Sequence, residues 1–267
     1  MPKGATKRFV SCKDAKNATF GKFFEFKNET ETSVDLYFYG DIVSDWWGAW
    51  QDEDQYPDAI KNFLSAANGK DLNIYINSGG GSVFAGIAIY NMLKRYEGKK
   101  NVYVDALAGS IASVIAFADS EAPTIPSNAY LMIHKPWAAC EGNSDEMRKM
   151  AETLDAIEKG ITAIYEEHLA DGVSIETIEE LMANETWLSG TEAAKYFNIR
   201  IGNENQAVAA VQDYTKMYCH NTPTKLLDSG SNTDDNNAQA AADAEHAAAE
   251  AEMKNKIAKL AIEAMAQ

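Results

Sequence analysis

The middle of the chain holds the residue types that acyl-transfer chemistry needs. Ser113 closes the small-residue run Ala108-Gly109-Ser110-Ile111-Ala112-Ser113, and His134 ends an apolar run that begins at Tyr130. A glycine turn, Asn77-Ser78-Gly79-Gly80-Gly81-Ser82, precedes both. A serine nucleophile, a histidine base and a backbone loop that can aim N–H groups at an oxyanion are the three parts of such a site. These residues predict a serine peptidase in which Ser113 is the nucleophile and His134 is the base.

His134 is the best placed of the four histidines. His168 lies beside two glutamates in a helical pattern and is expected to face solvent, and His220 and His246 fall in the C-terminal tail. Only His134 ends a strand inside the predicted core, where it could meet a serine from a neighbouring segment. The simpler alternatives are that His134 is a hydrogen-bonded core histidine and that Ser113 is a packing residue.

The glycine turn has two interpretations. Glycine-rich turns between a strand and a helix also bind phosphates, but this turn lacks the P-loop lysine and the GxGxxG spacing. As an oxyanion loop, Gly80 and Gly81 would turn backbone N–H groups outward, and the amide of Val114, after the nucleophile, would be the second donor.

Composition excludes several other functions. The 267 residues include 40 acidic and 24 basic side chains, a formal net charge of -16, which gives no electrostatic support to phosphate binding on nucleic acid. Three widely spaced cysteines indicate neither a disulfide framework nor a zinc site, and no cofactor is expected. The basic N-terminus is not followed by an apolar segment of signal-peptide or membrane-span length, so we expect a cytoplasmic protein without a membrane partner.

The elements that position these residues alternate between strand and helix. Strands are predicted at 34–40, 72–76, 101–106 and 129–133, and helices at 58–67 and 83–96, the second with Phe84, Ile87, Ala88, Asn91 and Met92 along one face. Strand–helix–strand units of these lengths predict an α/β fold with right-handed parallel crossovers.

Three more helices are expected towards the C-terminus. A long amphipathic helix is predicted from Asn143 to about Ala170, a second is capped by Ser174 and runs to Ala183, and a capping box of Ser189 and Glu192 opens a third through Phe197. The expected organisation is an N-terminal segment at 1–30, one domain at 31–218, and an acidic, alanine-rich linker and tail at 219–267 that either ends in a small interaction helix or remains a frayed polar one.

From about Leu36 to Gly202 the chain resembles the ClpP serine peptidases, peptidase family S14. Ile76 to Ser82 is similar to the family's INSPGG turn, 109–116 to its GxAASxxA nucleophile segment, and Met132 to Pro136 to its MIHxP motif. The resemblance implies Ser113 as nucleophile, His134 as base and the amides of Gly81 and Val114 as oxyanion donors. It also implies a spiral of βα units in stacked homo-oligomeric rings that enclose the active sites.

Two positions depart from the family pattern. Where the family has an aspartate three residues before the Leu-Ser of the last helix, this chain has Glu185, and Gly79 replaces the family's proline. A glutamate can orient an imidazole as an aspartate does, but its extra methylene requires a different approach. Glu185 is therefore the candidate third member, a surface carboxylate is its alternative role, and Asp171 and Asn184 are the other candidates.

One subgroup of the family is more similar than the rest. Trp46-Trp47, Pro136-Trp137, Glu185-Thr186-Trp187 and the Ala/Glu/Lys-rich tail resemble the ClpP-related head maturation proteases of tailed phages and prophages. That resemblance implies cleavage of scaffold or capsid polypeptides inside a procapsid. The alternatives are a housekeeping ClpP peptidase that works with a AAA+ unfoldase, and a non-catalytic assembly protein that keeps the fold.

Overall fold

The computed structural model describes residues 28–45 and 54–203, which form one mixed sheet with helices packed on it. This confirms the predicted α/β class. The predicted N-terminal segment up to residue 27, Trp46-Trp47 and the linker and tail lie outside the described residues, as do two of the cysteines, Cys12 and Cys219.

Seven strands form the sheet of the described residues. They are β1 (Ser33–Phe38), β2 (Asp71–Ser78), β3 (Lys100–Gly109), β4 (Thr124–Pro126), β5 (Tyr130–Ile133), β6 (Thr186–Ser189) and β7 (Arg200–Gly202). The main path is β1-β2-β3-β4-β7, and β5 pairs with β3 and with β6. Every pairing is parallel except that of β5 with β6. The strands β1, β2, β3 and β5 were predicted from sequence, whereas the short strands β4, β6 and β7 were not.

Within the described parts of the chain, six helices connect these strands. They are α1 (Pro57–Ala67), α2 (Val83–Arg95), α3 (Ile111–Ala116), α4 (Ser144–Glu166), α5 (Ile175–Ala183) and α6 (Gly190–Ala193). The capping boxes at the starts of α4 and α6 are formed by Asn143 with Glu146 and by Ser189 with Glu192. The predicted capping box is confirmed, but α6 ends at Ala193 instead of continuing through Phe197. Ser174 is the N-cap residue of α5 without a side-chain hydrogen bond to its backbone.

The core lies between the sheet and the first three helices. Ile74, Ile76, Val102 and Val104 are fully buried on the two central strands. Each such side chain contributes about 1.5–3 kcal/mol when it leaves water. The alternate positions of the same strands carry partly exposed tyrosines and asparagines, so the sheet has one apolar and one polar-aromatic face.

The residues at helical spacing named from the sequence are not the buried face of α2. The helix buries Ala85, Gly86, Ile89, Tyr90 and Leu93, and it leaves Phe84 69% exposed. Both sets have helical spacing, because the helix is apolar around most of its circumference. Periodicity therefore could not decide which face meets the sheet.

The long helix α4 is buried only near its end. Ile161, Thr162 and Tyr165 are buried, whereas Met147 at the other end is 49% exposed. The apolar stripe found in the sequence thus continues beyond the part that packs on this chain. None of the helices in 28–45 and 54–203 combines the length and the apolar character needed to cross a bilayer.

Candidate active site

A sharp turn between β3 and α3 presents Ser110. The strand ends at Gly109, the helix begins at Ile111, and Ser110 lies between them with φ 51° and ψ −127°. Its N–H donates to the carbonyl of Met132 at 2.8 Å. A non-glycine residue at positive φ costs of order 1–3 kcal/mol and usually marks a functional position.

His134 meets this turn from the end of β5. Because β5 runs parallel to β3 with Met132 opposite Gly109, the chain after β5 emerges beside Ser110. The Nε2 atom of His134 lies 2.7 Å from Oγ of Ser110. A hydroxyl nucleophile and its general base need a contact of this length.

The predicted contact between Ser113 and His134 is wrong. Ser113 is fully buried in α3, and its hydroxyl bonds to the Ser110 carbonyl and, at 2.7 Å, to the Tyr165 hydroxyl. Ser113 and Ser110 are three residues apart in one small-residue run, and composition does not distinguish them. The usable signal was the position of Ser110 directly after Gly109, where a strand passes into a helix.

The glycine turn after β2 packs against the Ser110 turn. A methyl group on Gly80, which has φ +104°, would lie 2.7 Å from Cβ of Ser110 and 3.1 Å from the backbone nitrogen of Ile111. The turn is held by Ser78, whose Oγ accepts from the Gly80 N–H at 3.1 Å and donates to the Gly40 carbonyl at 2.7 Å. Only glycine allows this approach without moving the neighbouring backbone.

The N–H of Gly81 faces away from the segment that supports the turn. Ile42 forms a parallel bridge with Gly81, in which its N–H donates to the Gly80 carbonyl and its carbonyl accepts from the Ser82 N–H, both at 2.7 Å. In a parallel bridge the central residue's own N–H and carbonyl point to the opposite side. The predicted donor Gly81 is thus oriented away from Ile42, in the turn that contacts Ser110.

Val114 is not at the position predicted for the second donor. It lies inside α3 and is fully buried. The assignment followed from choosing Ser113, since Val114 is the residue after it. With Ser110 in the turn, the equivalent amide is that of Ile111, at the start of α3.

Glu185 stands opposite His134 in the strand ladder. The antiparallel pairing of β5 with β6 ends at Ile133 and Thr186, and the next position of the same register pairs His134 with Glu185. Glu185 is 9% exposed, has φ 46°, and accepts from the Trp187 indole N–H at 3.3 Å. The two alternatives lie elsewhere: Asp171 is exposed in the turn after α4, and the Asn184 side chain donates to the Glu180 carbonyl at 2.9 Å.

A small cleft lies beside Ser110. Besides the serine and the histidine it is lined by Val83, Ile111, Val114, Pro136, Ile161 and Tyr165. No group of three or more His, Cys, Asp or Glu residues within 28–45 and 54–203 is arranged to hold a metal ion.

The expectation that His168 faces solvent is wrong. Its ring stacks on Phe117 at 5.0 Å, and its Nε2 is buried without a hydrogen-bond partner. Burial lowers the pKa of His168, and the positive charge of Lys94 lowers it further. The neighbouring glutamates suggested a solvated face, but His168 ends the last turn before the chain folds back onto Phe197.

Comparison with known proteins agrees with this geometry. The Clp protease family model matches residues 52–199. The chain is 36% identical over 138 residues to the ATP-dependent Clp protease proteolytic subunit of Ligilactobacillus salivarius (strain UCC118), covering 50% of this chain and 68% of the relative. The protein of the same description from Bacteroides fragilis is 30% identical over 130 residues, 48% of this chain and 61% of the relative.

The relative from Porphyromonas gingivalis, also described as an ATP-dependent Clp protease proteolytic subunit, is 29% identical over 133 residues. That alignment covers 49% of this chain and 59% of the relative, so the chain spans roughly three fifths to two thirds of the length of these relatives. The family match covers more than half of the chain and includes the Ser110 turn, His134 and Glu185. The chain belongs to the Clp protease family.

Proposed function

We propose that the protein is a serine endopeptidase in which Ser110, and not Ser113, is the nucleophile. The observation that carries the proposal is the 2.7 Å contact between Ser110 Oγ and His134 Nε2 at a strained strand-to-helix turn. His134 takes the hydroxyl proton as Oγ attacks the peptide carbonyl carbon, and the protonated imidazole then gives that proton to the leaving amine. Water, deprotonated by the same imidazole, hydrolyses the acyl-enzyme and restores Ser110. Neither a metal nor a cofactor takes part in these steps.

The oxyanion is stabilised by the amides of Ile111 and Gly81. The Ile111 nitrogen immediately follows the nucleophile and faces the glycine turn, where a methyl group on Gly80 would come within 3.1 Å of it. This proximity of the glycine turn to Ile111 supports an oxyanion site formed by two backbone N–H groups from separate segments. Donors fixed in this way stabilise charge that develops only in the transition state.

Glu185 is the third member of the triad. This role is supported by the β5–β6 register, which continued by one position sets Glu185 opposite His134, and by the burial of Glu185. A carboxylate that accepts from Nδ1–H fixes the tautomer in which Nε2 can accept the Ser110 proton, and it stabilises the imidazolium. The indole of Trp187 restrains this carboxylate through its hydrogen bond.

Homo-oligomeric assembly is supported by α4. Its first turns carry Met147 largely exposed, with Met150 and Leu154 only partly covered, on a helix whose other end is packed in the core. An apolar stripe of this kind is stable in water when a second copy covers it. We propose that the chain forms rings through such contacts and that polypeptides are its substrates.

Two biological roles are considered for this peptidase. Cleavage of phage scaffold or capsid polypeptides is supported by the motifs shared with head maturation proteases. Work with a AAA+ unfoldase is supported by the similarity to ATP-dependent Clp protease proteolytic subunits and by the partly exposed face of the sheet. On that face the rings of Tyr37, Tyr75 and Tyr103 are stacked at 4.9 and 5.4 Å across three strands, a partly exposed aromatic surface suited to apolar partner residues.

A cleavage assay separates these possibilities. An unfolded acidic protein such as casein is incubated with the full chain, and the new peptide termini are read by mass spectrometry, with Ser110→Ala as the control. Cleavage that stops in Ser110→Ala supports the peptidase, and cleavage that persists there overturns it. A folded substrate degraded only with an added unfoldase and ATP favours the second role, whereas cleavage of a phage scaffold polypeptide without ATP favours the first.

A further inference from the structure

Two buried hydroxyl groups behind the active site have no part in the mechanism above. Ser113 is fully buried and Tyr165 is 2% exposed, on α3 and α4 respectively. Their hydroxyl oxygens are 2.7 Å apart, and the Ser113 hydroxyl also bonds to the carbonyl oxygen of Ser110. The three groups form a chain that runs from the core to the nucleophile's own peptide bond.

The donor and acceptor of each of these hydrogen bonds follow from the number of hydroxyl protons. The Ser113 hydroxyl has one proton, which it donates to the Ser110 carbonyl, so the Tyr165 hydroxyl must donate to Ser113 Oγ. Burial raises the pKa of Tyr165, and the phenol therefore keeps its proton throughout the working pH range. Contacts with Phe117 and Phe197, at 5.9 and 5.6 Å between ring centres, fix the position of the phenol ring.

The Ser110 carbonyl belongs to the same peptide group as the Ile111 N–H. The peptide group is planar and trans, so its N–H points opposite to its carbonyl. The Ser110 carbonyl also accepts from the Ser113 N–H at 3.0 Å. Holding this oxygen at the core side consequently directs the Ile111 N–H to the opposite side, where the glycine turn lies.

We propose that Ser113 and Tyr165 are positioning residues that orient the Ser110–Ile111 peptide, and with it both the nucleophile and one oxyanion donor. The inference rests on the proposed peptidase function. Ser113 acts through the carbonyl it binds, and Tyr165 acts by orienting Ser113. Neither hydroxyl touches the substrate's reacting carbonyl.

A pair of substitutions separates positioning from simple core packing. Ser113→Ala alone leaves the buried Tyr165 hydroxyl without its partner, which lowers stability. Adding Tyr165→Phe removes that buried hydroxyl as well and restores part of the lost stability, since two apolar groups then face each other. The peptide, however, remains without its side-chain support in both variants, so activity does not recover with stability.

The experiment measures the rate of labelling by a fluorophosphonate and the urea midpoint of unfolding for the full chain and each variant. Thr162→Val is the matched control, because Thr162 is buried on the same helix and its hydroxyl donates to the Lys159 carbonyl of that helix. We expect labelling at least ten-fold slower in Ser113→Ala and in the double variant, with the urea midpoint higher in the double variant. On a chromogenic peptide, kcat falls by a similar factor and KM changes little, because an oxyanion donor acts mainly in the transition state.

The labelling rates test the positioning role separately from the peptidase function. Labelling of the double variant at the rate of the unsubstituted chain overturns the positioning role and leaves the peptidase intact. A double variant in which labelling recovers in step with the urea midpoint overturns it too, because packing alone would then explain the loss. Failure of the unsubstituted, folded chain to be labelled overturns the proposed function and this inference together.

Discussion

Replacing Gly80 by alanine tests whether the glycine turn must approach the nucleophile closely. Its φ of +104° disfavours any side chain, by about 1–2 kcal/mol. The new methyl group would also stand 2.7 Å from the Gly109 carbonyl oxygen and from Cβ of Ser110. Relieving such an overlap in a packed site typically costs about 1–3 kcal/mol, so the total loss of stability is about 2–5 kcal/mol.

The same methyl group would obstruct the oxyanion site. It would lie 3.1 Å from the Ile111 nitrogen, close to where an oxyanion would accept from that N–H. Losing one such donor typically lowers kcat by about 10²–10³. We therefore expect fluorophosphonate labelling of Gly80→Ala to be at least about one hundred-fold slower than that of the unsubstituted chain.

Gly69 provides the matched control. It also has positive φ, +81°, but a methyl group there would have no atom within 4 Å. Gly69→Ala should lower the free energy of unfolding in a urea titration by only about 1–2 kcal/mol, the cost of a side chain at positive φ. It should be labelled at the rate of the unsubstituted chain. If the two variants lose equal stability and are labelled equally fast, the argument from close approach is refuted.

Three further predictions concern single side chains. Glu185→Gln should lower kcat at least ten-fold with folding unchanged, because an amide does not fix the histidine tautomer as a carboxylate does. His168→Phe should reduce the fall in the free energy of unfolding between pH 7.5 and 5.5. Because the pKa of His168 is lowered in the folded state, the unfolded state binds the proton more readily. The stability that the neutral His168 contributes is therefore lost as pH falls below about 6.5, the pKa of a free histidine. Asp119→Asn should cost about 1.5–3 kcal/mol in a urea titration without changing kcat, because a buried carboxylate there accepts from two backbone N–H groups at 2.6 and 2.7 Å.

Each of these three predictions has its own control or contradicting result. Glu176→Gln, on the exposed side of α5, should leave kcat unchanged, and an equal fall in Glu185→Gln and Glu176→Gln would contradict the triad assignment. The pH window for His168 lies above the range in which Glu176 and Glu192, whose pKa values are lowered, take up protons. An unchanged pH profile in His168→Phe, or full stability in Asp119→Asn, would contradict the corresponding argument.

The elements with a clear period were predictable from sequence, and the serine that contacts His134 was not. Strands with alternating or continuous apolar residues and the helices α1, α2 and α5 were found close to their observed limits, whereas α6 ends four residues before the predicted Phe197. Ser110 and Ser113 share the same small-residue surroundings, and the choice depends on where β3 ends, which is decided by its pairing with β5 near Met132. With Ser113 as the nucleophile, the amide that follows it is that of Val114, whereas with Ser110 it is that of Ile111.

Long-range pairing also explains what was missed around the histidines. Glu185 was found from the family motif, but its place opposite His134 depends on the register of β5 with β6, and β6 is only four residues long. His168 was assigned to solvent because of its charged neighbours, although tertiary contacts place its ring on Phe117. In both cases the deciding contact joins residues far apart in the chain, which no local pattern encodes.

The central claim is that Ser110 is the activated nucleophile, and covalent labelling tests it most directly. The full chain, Ser110→Ala and Ser113→Ala are incubated with a fluorophosphonate, and intact mass and peptide mapping locate the adduct. The structure predicts one adduct on Ser110 in the unsubstituted chain, none in Ser110→Ala, and a slower adduct at Ser110 in Ser113→Ala. An adduct on Ser113, or one that persists in Ser110→Ala, would contradict the account.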